Sequence, residues 1–503
     1  MNFPVLSVIT FTPITAALIL LLMPAHRKNE VRAVALASAS FALILSLWMY
    51  FSYDQSAAGY QFIEKYDWLP SLGISLHFGV DGMSAPLVLL TGLVMFTGVL
   101  ISWGDDHPHV MAGIQDRPRE FFAFLFILAW GVFGVFVSLD LFMLIFFYEI
   151  AVFPMYLLIV IWGWNVTREY AAMKLTLYLL IGSVVSLAGV LVMYFAQYQN
   201  TGVLTFDMIA LENAGFSQSF QIVWFLPVFL GFAVLGGIWP FHNWSPDGHV
   251  AAPTAVSMFH AGVLMKLGAF AALRVGIMLL PEGAMYWSWL IMAFAGIAVV
   301  YGAYIAFVQM DFKYMVGFSS VSHMGLVMLG FSTLNREGLL GSGLQMFSHG
   351  AMTALFFAVV GMIYDRAHTR QIPELGGMSK VMPFAAVGFV IGGLVSMGMP
   401  LFSGFIAEFP IFMGVWRVQW LVAVICSISI VITAAYIMRN VRQVFFGSMP
   451  EKLEGHVGDI TVLDKVAITT LCLFMIVIGM YPKIMAPMVQ TGVDYVLRLL
   501  GGS

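Results

Sequence analysis

Charged residues are scarce in this chain. Asp, Glu, Lys and Arg make up 10% of the 503 residues, whereas 61% are hydrophobic and the mean hydropathy is +0.93. Soluble globular domains carry about 25% charged residues. The composition therefore excludes a soluble domain and indicates a membrane protein.

Cysteine is nearly absent as well. Cys426 and Cys472 stand alone inside apolar runs, and the sequence has no CxxC motif that could hold an iron–sulfur cluster. The longest polar stretches, at 54–77, 105–120 and 448–464, are loop-sized and carry no nucleotide-binding glycine pattern. Any redox chemistry coupled to this chain is therefore expected in other polypeptides.

Long hydrophobic runs recur from end to end. About fourteen runs of roughly 18 to 25 apolar residues are each long enough for a helix across about 30 Å of hydrocarbon. The first run lacks a basic segment before it and is too long for a signal peptide, so we interpret it as helix 1. The predicted helices centre near residues 14, 43, 92, 129, 151, 183, 230, 266, 296, 322, 351, 397, 429 and 473.

Basic residues are distributed unevenly between the connections. Most Lys and Arg fall in the odd-numbered connections, those after helices 1, 3, 5 and so on. The even-numbered connections and the C-terminal tail hold only Lys65, Arg336, Arg417, Lys483 and Arg498. By the positive-inside rule the odd-numbered connections are expected in the cytoplasm, with both termini on the outer side of a bacterial inner membrane.

Helix breakers interrupt two of the predicted helices. The segment 236–254 at the end of helix 7 and the segment 399–410 in helix 12 are both rich in Pro and Gly. Discontinuous helices mark binding sites in transporters, often in inverted repeats. We expect an all-α, polytopic fold in one membrane domain, with two inverted five-helix repeats, helices 4–8 (118–280) and 9–13 (284–447). Helices 1–3 (1–110) would precede them, and helix 14 with the tail (464–503) would follow.

Four ionisable residues lie inside apolar runs: Glu149, Lys174, Lys266 and Glu408. A charge at mid-membrane costs about 2.5 to 3.5 kcal/mol, and such residues usually face a bundle interior or a water path. Glu149, Lys266 and Glu408 are therefore candidates for proton transfer. Packing remains the alternative for Glu149 and snorkelling to the interface for Lys266. Lys174 lies only about two turns into helix 6, so snorkelling and a functional role are equally compatible with its position.

Three histidines extend this set of candidates. His323 follows a serine cluster in helix 10, His349 lies in helix 11, and His260 precedes Lys266 in helix 8. Histidine titrates near neutral pH and serine both donates and accepts hydrogen bonds, so together they can conduct protons. Structural roles are the alternative for each histidine alone. Paired histidines could also ligate haem iron, but no two of these share a helix.

These motifs resemble a known family, the antiporter-like membrane subunits of bacterial respiratory complex I (NADH:quinone oxidoreductase), and in particular its chain M. The similarity extends over nearly the whole chain. The motifs that carry it are Tyr148-Glu149 with Pro154, residues 240–247 (PFHNWSPD) with 252–254 (APT), 311–314 (DFKY), 319–325 (SSVSHMG), 364–370 (YDRAHTR) and 375–377 (LGG).

The resemblance implies fourteen helices, proton translocation and specific residue roles. Glu149 matches the helix 5 glutamate of the proton channel, Lys266 the helix 8 lysine and Glu408 the helix 12 glutamate, while His323 and His349 match the hydrated central axis. No cofactor is expected on this chain. NADH, FMN, iron–sulfur clusters and quinone are expected in partner subunits, and the expected partners are other membrane-arm subunits, including neighbouring antiporter-like ones, and membrane lipid.

One position departs from the family pattern. The family usually has a lysine in helix 7, paired with the helix 5 glutamate, where this chain has Leu235. Leucine cannot titrate. Either Lys266 and His260 take over with water filling the gap, or this subunit conducts poorly and serves as a coupling or structural element.

Two further classes share the architecture. A subunit of a multi-subunit cation/proton antiporter, or of a membrane-bound hydrogenase, is the main alternative to a complex I subunit. A structural subunit that conducts nothing is the second alternative, which Leu235 keeps open.

Overall fold

The chain is almost entirely helical. The computed structural model describes residues 3–103 and 112–501, and each of the fourteen predicted runs coincides with a helix or a pair of helical pieces. Helices 1 to 7 are Val5–Leu22, Lys28–Phe51, Ser84–Ile101, Pro118–Val137, Leu141–Trp162, Arg168–Thr201 and the pair Gln218–Leu235 with Trp244–Ala251. Helices 8 to 14 are Thr254–Ile277, Pro281–Val308, Phe312–Ser332, Arg336–Ala367, the pair Pro383–Ser396 with Ser403–Val418, Trp420–Phe445 and Val462–Met480.

Short polar residues fix where several helices begin. Asp311 accepts hydrogen bonds from the Lys313 and Tyr314 amides and is the N-cap of helix 10. Asp140 caps helix 5 in the same way through the Met143 amide. Each cap satisfies backbone donors that the first turn of a helix leaves free.

Helices 7 and 12 are both broken, as predicted. Helix 7 stops at Leu235 and resumes at Trp244, and helix 12 stops at Ser396 and resumes at Ser403. The chain leaves each first piece through a glycine in the left-handed region, Gly237 at φ +74° and Gly398 at φ +62°. Residues with a Cβ rarely adopt that conformation, so glycine suits both positions.

Four helices form the centre of the bundle. Helices 3, 8, 10 and 11 are buried along nearly their whole length, whereas fewer than half of the residues in helices 1, 2, 6 and 13 are buried. Exposed leucine, isoleucine, phenylalanine and valine side chains cover that outer surface. An apolar perimeter around a buried centre is the arrangement that a bilayer requires, and the polar candidates lie mostly in the central helices.

The polar stretch at 54–77 holds a structure that an all-α prediction leaves out. Strands β1 (Gln61–Leu69) and β2 (Ile74–Val80) form an antiparallel hairpin in which Lys65 lies opposite His77. Most of β1 is exposed, whereas β2 packs against the ends of helices 4 and 5. The hairpin thus covers one end of the bundle rather than forming part of it.

The tail and the second polar stretch also differ from a simple loop. Beyond helix 14 the tail forms a short helix, Ala486–Leu499, that packs against helix 11. In the predicted loop at 105–120, residues 104–111 lie outside the described part of the chain, and the remainder forms the short helix Ala112–Asp116 and the start of helix 4.

The connections separate onto two faces. On the face of the odd-numbered connections, the Trp164 amide donates to the Ala251 carbonyl and Arg370 pairs with Asp311. On the face of the even-numbered connections, His77 contacts Asp207 and the Ser75 amide donates to Asp140. We call the first the basic face, because the excess of Lys and Arg found in the sequence lies there, and the second the opposite face.

Candidate functional site

A row of buried polar side chains runs through the central helices. Its members are His249, His260, Lys266, His349, His323 and Glu408, and each is at most 4% exposed. They come from both halves of the chain, helices 7 and 8 in the first and helices 10, 11 and 12 in the second. Five of these six residues were candidates from sequence.

Lys266 lies between two widened turns of helix 8. The π-helical turns His260–Leu264 and Ala272–Ile277 flank the regular piece that carries it. Its Nζ donates to the Ala261 carbonyl, and no carboxylate of the described residues forms a salt bridge with it. Widened turns of this kind occur often at functional sites. Full burial of Lys266 excludes the snorkelling alternative.

Two histidines lie beside Lys266. Nε2 of His249 is 2.9 Å from the Ser245 hydroxyl, and the rings of His249 and His260 are 4.3 Å apart between centroids. Neither nitrogen of His260 has a hydrogen-bond partner among the described residues. A buried polar atom without a protein partner usually hydrogen-bonds to ordered water. The pair therefore has the chemistry of a hydrated proton path.

The second half of the row ends at Glu408. The rings of His349 and His323 lie 5.2 Å apart, and Nδ1 of His323 is 3.1 Å from Oε1 of Glu408. Gln345 donates to the same carboxylate oxygen at 3.1 Å. On its other side, His323 Nε2 is 3.0 Å from the Ser396 hydroxyl, at the point where helix 12 breaks. Imidazole, hydroxyl and carboxylate thus form one hydrogen-bonded cluster.

The two halves of the row meet at His349. Lys266, His249 and His323 all lie near it, and both of its nitrogens lack a partner among the described residues. His349 comes from helix 11, one of the two most completely buried helices. It therefore links the cation of the first half to the carboxylate of the second.

Lys174 forms a separate ion pair nearer the basic face. Its Nζ is 2.7 Å from Asp247 in the second piece of helix 7, and the Tyr314 hydroxyl donates to the same carboxylate at 3.0 Å. The side chains of Lys174 and Asp247 are 21% and 23% exposed. Snorkelling alone does not account for Lys174, because its ammonium is held by a specific carboxylate.

Glu149 lies apart from the row. It is half-buried at the contact of helices 5 and 6, near the Ser183 hydroxyl, and no Lys or Arg of the described residues is within salt-bridge distance. The adjacent Tyr148 ring packs 5.8 Å from Phe232 of helix 7, and its buried hydroxyl has no partner among those residues. Leu235, one turn beyond Phe232, is fully buried. The position of the family lysine is thus occupied by apolar packing.

Sequence reasoning did not single out four residues of the site: Asp247, His249, Gln345 and Ser396. Asp247 and His249 lie in the segment that was noted for its helix breakers, and Ser245 with His249 has the i, i+4 spacing of one helix face. Gln345 precedes His349 by the same spacing. This signal could have added His249 and Gln345, whereas Ser396 is recognisable only from its contact with His323.

Among the residues that the structure describes, fourteen helices, two of them broken, surround a buried row of Lys, His and Glu, and this arrangement defines an antiporter-like membrane subunit. A family model described as NADH:quinone oxidoreductase/Mrp antiporter, transmembrane, matches residues 138–433. The NADH-quinone oxidoreductase subunit M of Rhodobacter capsulatus is 33% identical over 511 residues, covering 98% of this chain and 96% of that protein. The NAD(P)H-quinone oxidoreductase chain 4 3 of Trichormus variabilis is 33% identical over 494 residues, covering 96% and 89%.

Solved structures agree with this assignment. A chain in respiratory complex I from Thermus thermophilus with bound NADH superposes with a TM-score of 0.88 at 26% identity, covering 99% of this chain and 100% of that one. A chain of the Mrp complex from a Dietzia species shares the fold, with a TM-score of 0.85 at 19% identity over 100% of both chains. The chain belongs to the NADH:quinone oxidoreductase/Mrp antiporter family, and the resemblance found in the sequence is confirmed.

Proposed function

We propose that this chain is a proton-translocating, antiporter-like subunit of NADH:quinone oxidoreductase. The observation that carries the proposal is the buried row from His249 and Lys266 through His349 and His323 to Glu408. Electron transfer from NADH through FMN and iron–sulfur clusters to quinone would take place in partner subunits. Other membrane-arm subunits, including neighbouring antiporter-like ones, are the proposed partners.

The energetics of the row favour transport over packing. An ionisable group at mid-membrane costs about 2.5 to 3.5 kcal/mol, and Lys266 and Glu408 both occupy such positions. Leucine or methionine would fill the same space without that cost. A functional requirement for charge explains why ionisable side chains are present, and the histidines between them supply groups that bind and release protons near neutral pH.

Because position 235 is leucine, the proton path in the first half of this chain must use other residues than in the family pattern. Glu149 contacts Ser183 but no cation, so the helix 5 and helix 7 pair cannot form here. Lys266 and His260 lie fully buried in helix 8, close to His249 and His349, and we propose that they take over this part of the path. The alternative of a non-conducting structural subunit rests on Leu235 alone.

The orientation of the chain in the membrane is inferred from the charge difference between its two faces. We propose a bacterial inner membrane location with the basic face in the cytoplasm, because cytoplasmic connections carry the excess of Lys and Arg. Both termini would then lie on the outer side.

A subunit of a multi-subunit cation/proton antiporter, or of a membrane-bound hydrogenase, is the second candidate, since a chain of the Mrp complex shares the fold. Purification of the tagged chain from native membranes in mild detergent separates the candidates. Recovery with proteins that oxidise NADH and reduce quinone is the expected result. Recovery with small membrane proteins alone would contradict the complex I assignment and favour the antiporter.

A further inference from the structure

The breaks of helices 7 and 12 share one hydrogen-bond pattern. In helix 7 the Gly237 amide donates to the Val234 carbonyl and the Ile238 amide to the Ala233 carbonyl. In helix 12 the Gly398 amide donates to the Val395 carbonyl and the Met399 amide to the Leu394 carbonyl. Both glycines have positive φ. The two breaks can therefore be aligned residue by residue, with Gly237 opposite Gly398.

This alignment pairs two carboxylates. Asp247 follows Gly237 by ten residues, and Glu408 follows Gly398 by ten residues. The same register places Leu235 opposite Ser396, the hydroxyl that contacts His323. Asp247 thus holds, in the first half of the chain, the position that Glu408 holds in the second.

The two carboxylates lie toward opposite faces. The second piece of helix 7 ends at Ala251, whose carbonyl accepts the Trp164 amide on the basic face. The second piece of helix 12 ends at Val418, in the connection to helix 13 on the opposite face. Helices 5 and 10 show the same inversion. The N-cap of helix 5, Asp140, forms a β-bridge with Asp207 on the opposite face, whereas the N-cap of helix 10, Asp311, forms a β-bridge with Gln371 on the basic face.

Asp247 has the surroundings of a charged, partly hydrated carboxylate. Lys174 and Tyr314 hold its two oxygens, and Tyr170 lies 5.4 Å from the Lys174 ammonium. From helix 10, Lys313 contacts the carbonyls of Val250 and Ala252 just beyond it. In the break before this helical piece, His242 is 2% exposed, its ring lies 5.1 Å from that of Tyr301 in helix 9, and both of its nitrogens lack partners among the described residues. Polar groups from helices 6, 7 and 10 thus surround Asp247.

We propose that Asp247 is the proton-loading carboxylate at the basic-face end of the row, the inverted counterpart of Glu408 at the other end. Asp247 takes a proton from water at the basic face and becomes a neutral acid, while Lys174 keeps its charge. Asp247 then gives the proton to the neutral imidazoles of the row, which begin at His249 on the same helical piece, and returns to a carboxylate. This inference rests on the proposed function.

The test uses the assembled complex in membrane vesicles and measures three quantities: complex content, uncoupled NADH:quinone activity and NADH-driven proton uptake. Asp247→Asn is compared with Glu408→Gln and with Asp459→Asn, which removes an exposed basic-face ion pair with Lys465 at 2.7 Å. We expect Asp247→Asn to lower proton uptake per NADH as strongly as Glu408→Gln does, with Asp247→Glu restoring it. Asp459→Asn should leave uptake unchanged.

The outcomes separate the inference from the function on which it rests. Normal uptake with Asp247→Asn and lost uptake with Glu408→Gln would overturn the loading role but keep the proposed function. Normal uptake in both would overturn both. If Asp247→Asn fails to assemble, Lys174→Gln decides: loss of the cation favours the protonated acid, so the pH profile of proton uptake should shift to higher pH. An unshifted profile in assembled Lys174→Gln complex would contradict the inference.

Discussion

Nδ1 of His323 lies 3.1 Å from Oε1 of Glu408, and both side chains are almost completely buried. Gln345 donates to the same oxygen, and a Cβ at Gly398 would come within 2.9 Å of the other oxygen, Oε2. The broken helix therefore leaves space for the carboxylate, and helices 10 and 11 supply its donors. A proton can pass between this imidazole and carboxylate without a change in the fold, because the two groups already have hydrogen-bonding geometry.

Replacement of Lys266 by methionine separates stability from transport. Removal of a buried charge relieves a cost of about 2.5 to 3.5 kcal/mol, so Lys266→Met should assemble at least as well as the unaltered chain. NADH-driven proton uptake should fall by about 100-fold, the low end of the range for a group that transfers protons. Lys483→Met, at an exposed position on the opposite face, is the control. Reduced assembly with normal uptake per complex would show that Lys266 is structural.

Leu235→Lys tests whether the position still fits the family pair. The new ammonium would enter fully buried packing near Glu149, which lies beside Tyr148 and its contact with Phe232. With Glu149 present the charge gains a partner, so the amount of assembled complex should stay within about threefold of the unaltered level. In a Glu149→Gln background the same lysine is unpaired, and assembly should drop by at least about tenfold. Equal assembly in both backgrounds would show that Glu149 does not reach position 235.

The docked hairpin should respond to acid through Asp207. Burial alone would raise the pKa of this carboxyl, but His77 and Lys65 outweigh it and hold the pKa well below its usual value. A lowered pKa gives stabilisation that is present above the unfolded value of about 3.9 and is lost as the pH falls toward the folded value.

Hydrogen exchange in β1 and β2, corrected for the intrinsic pH dependence, should therefore show protection at neutral pH that declines below about pH 4. Asp207→Asn should lose this protection at neutral pH already and show little further change in acid. Protection that declines in parallel in both proteins would assign the acid response to another group.

Arg274 of helix 8 forms a buried ion pair with Asp81, which lies just before helix 3. Arg274 donates to Asp81 at 2.8 Å and to the Tyr60 hydroxyl at 3.1 Å, and both charged side chains are at most 2% exposed. Removal of one partner leaves an uncompensated buried charge, which costs about 3 to 5 kcal/mol. Asp81→Asn should therefore lower the unfolding midpoint of the detergent-solubilised chain, whereas Asp494→Asn, which removes the exposed pair with Arg336, should not. Equal midpoints would show that Arg274 finds another partner.

The sequence was most informative where a residue type imposes local geometry. Pro and Gly within 236–254 and 399–410 predicted the two breaks, because both residue types restrict the backbone within a few positions. Lys266, His323, His349 and Glu408 were recognisable because ionisable groups are rare in apolar helices. Their functional roles remain predictions until transport is measured.

Long-range pairing was not recognisable. Asp81 and Arg274 are 193 positions apart, and nothing in either local pattern indicates the other. The β hairpin was missed because its first strand is mostly exposed and lies in a polar stretch. For Glu149 and Leu235, the sequence and the structure each supplied one part of the result. The sequence revealed the missing lysine, but only the packing of helices 5, 6 and 7 shows that no other cation of the described residues pairs with Glu149.

The proton-to-electron ratio of assembled complex carrying Glu408→Gln shows whether protons use the carboxylate at the end of the buried row. Glutamine keeps the shape and accepts the Gln345 hydrogen bond, but it cannot take up a proton. We expect normal uncoupled NADH:quinone activity with a lower number of protons moved per electron, whereas Glu337→Gln, which removes an exposed pair with Arg417, should keep the full ratio. An unchanged ratio in Glu408→Gln complex would contradict proton transfer through the buried row, because the row would then end at a group that protons do not use.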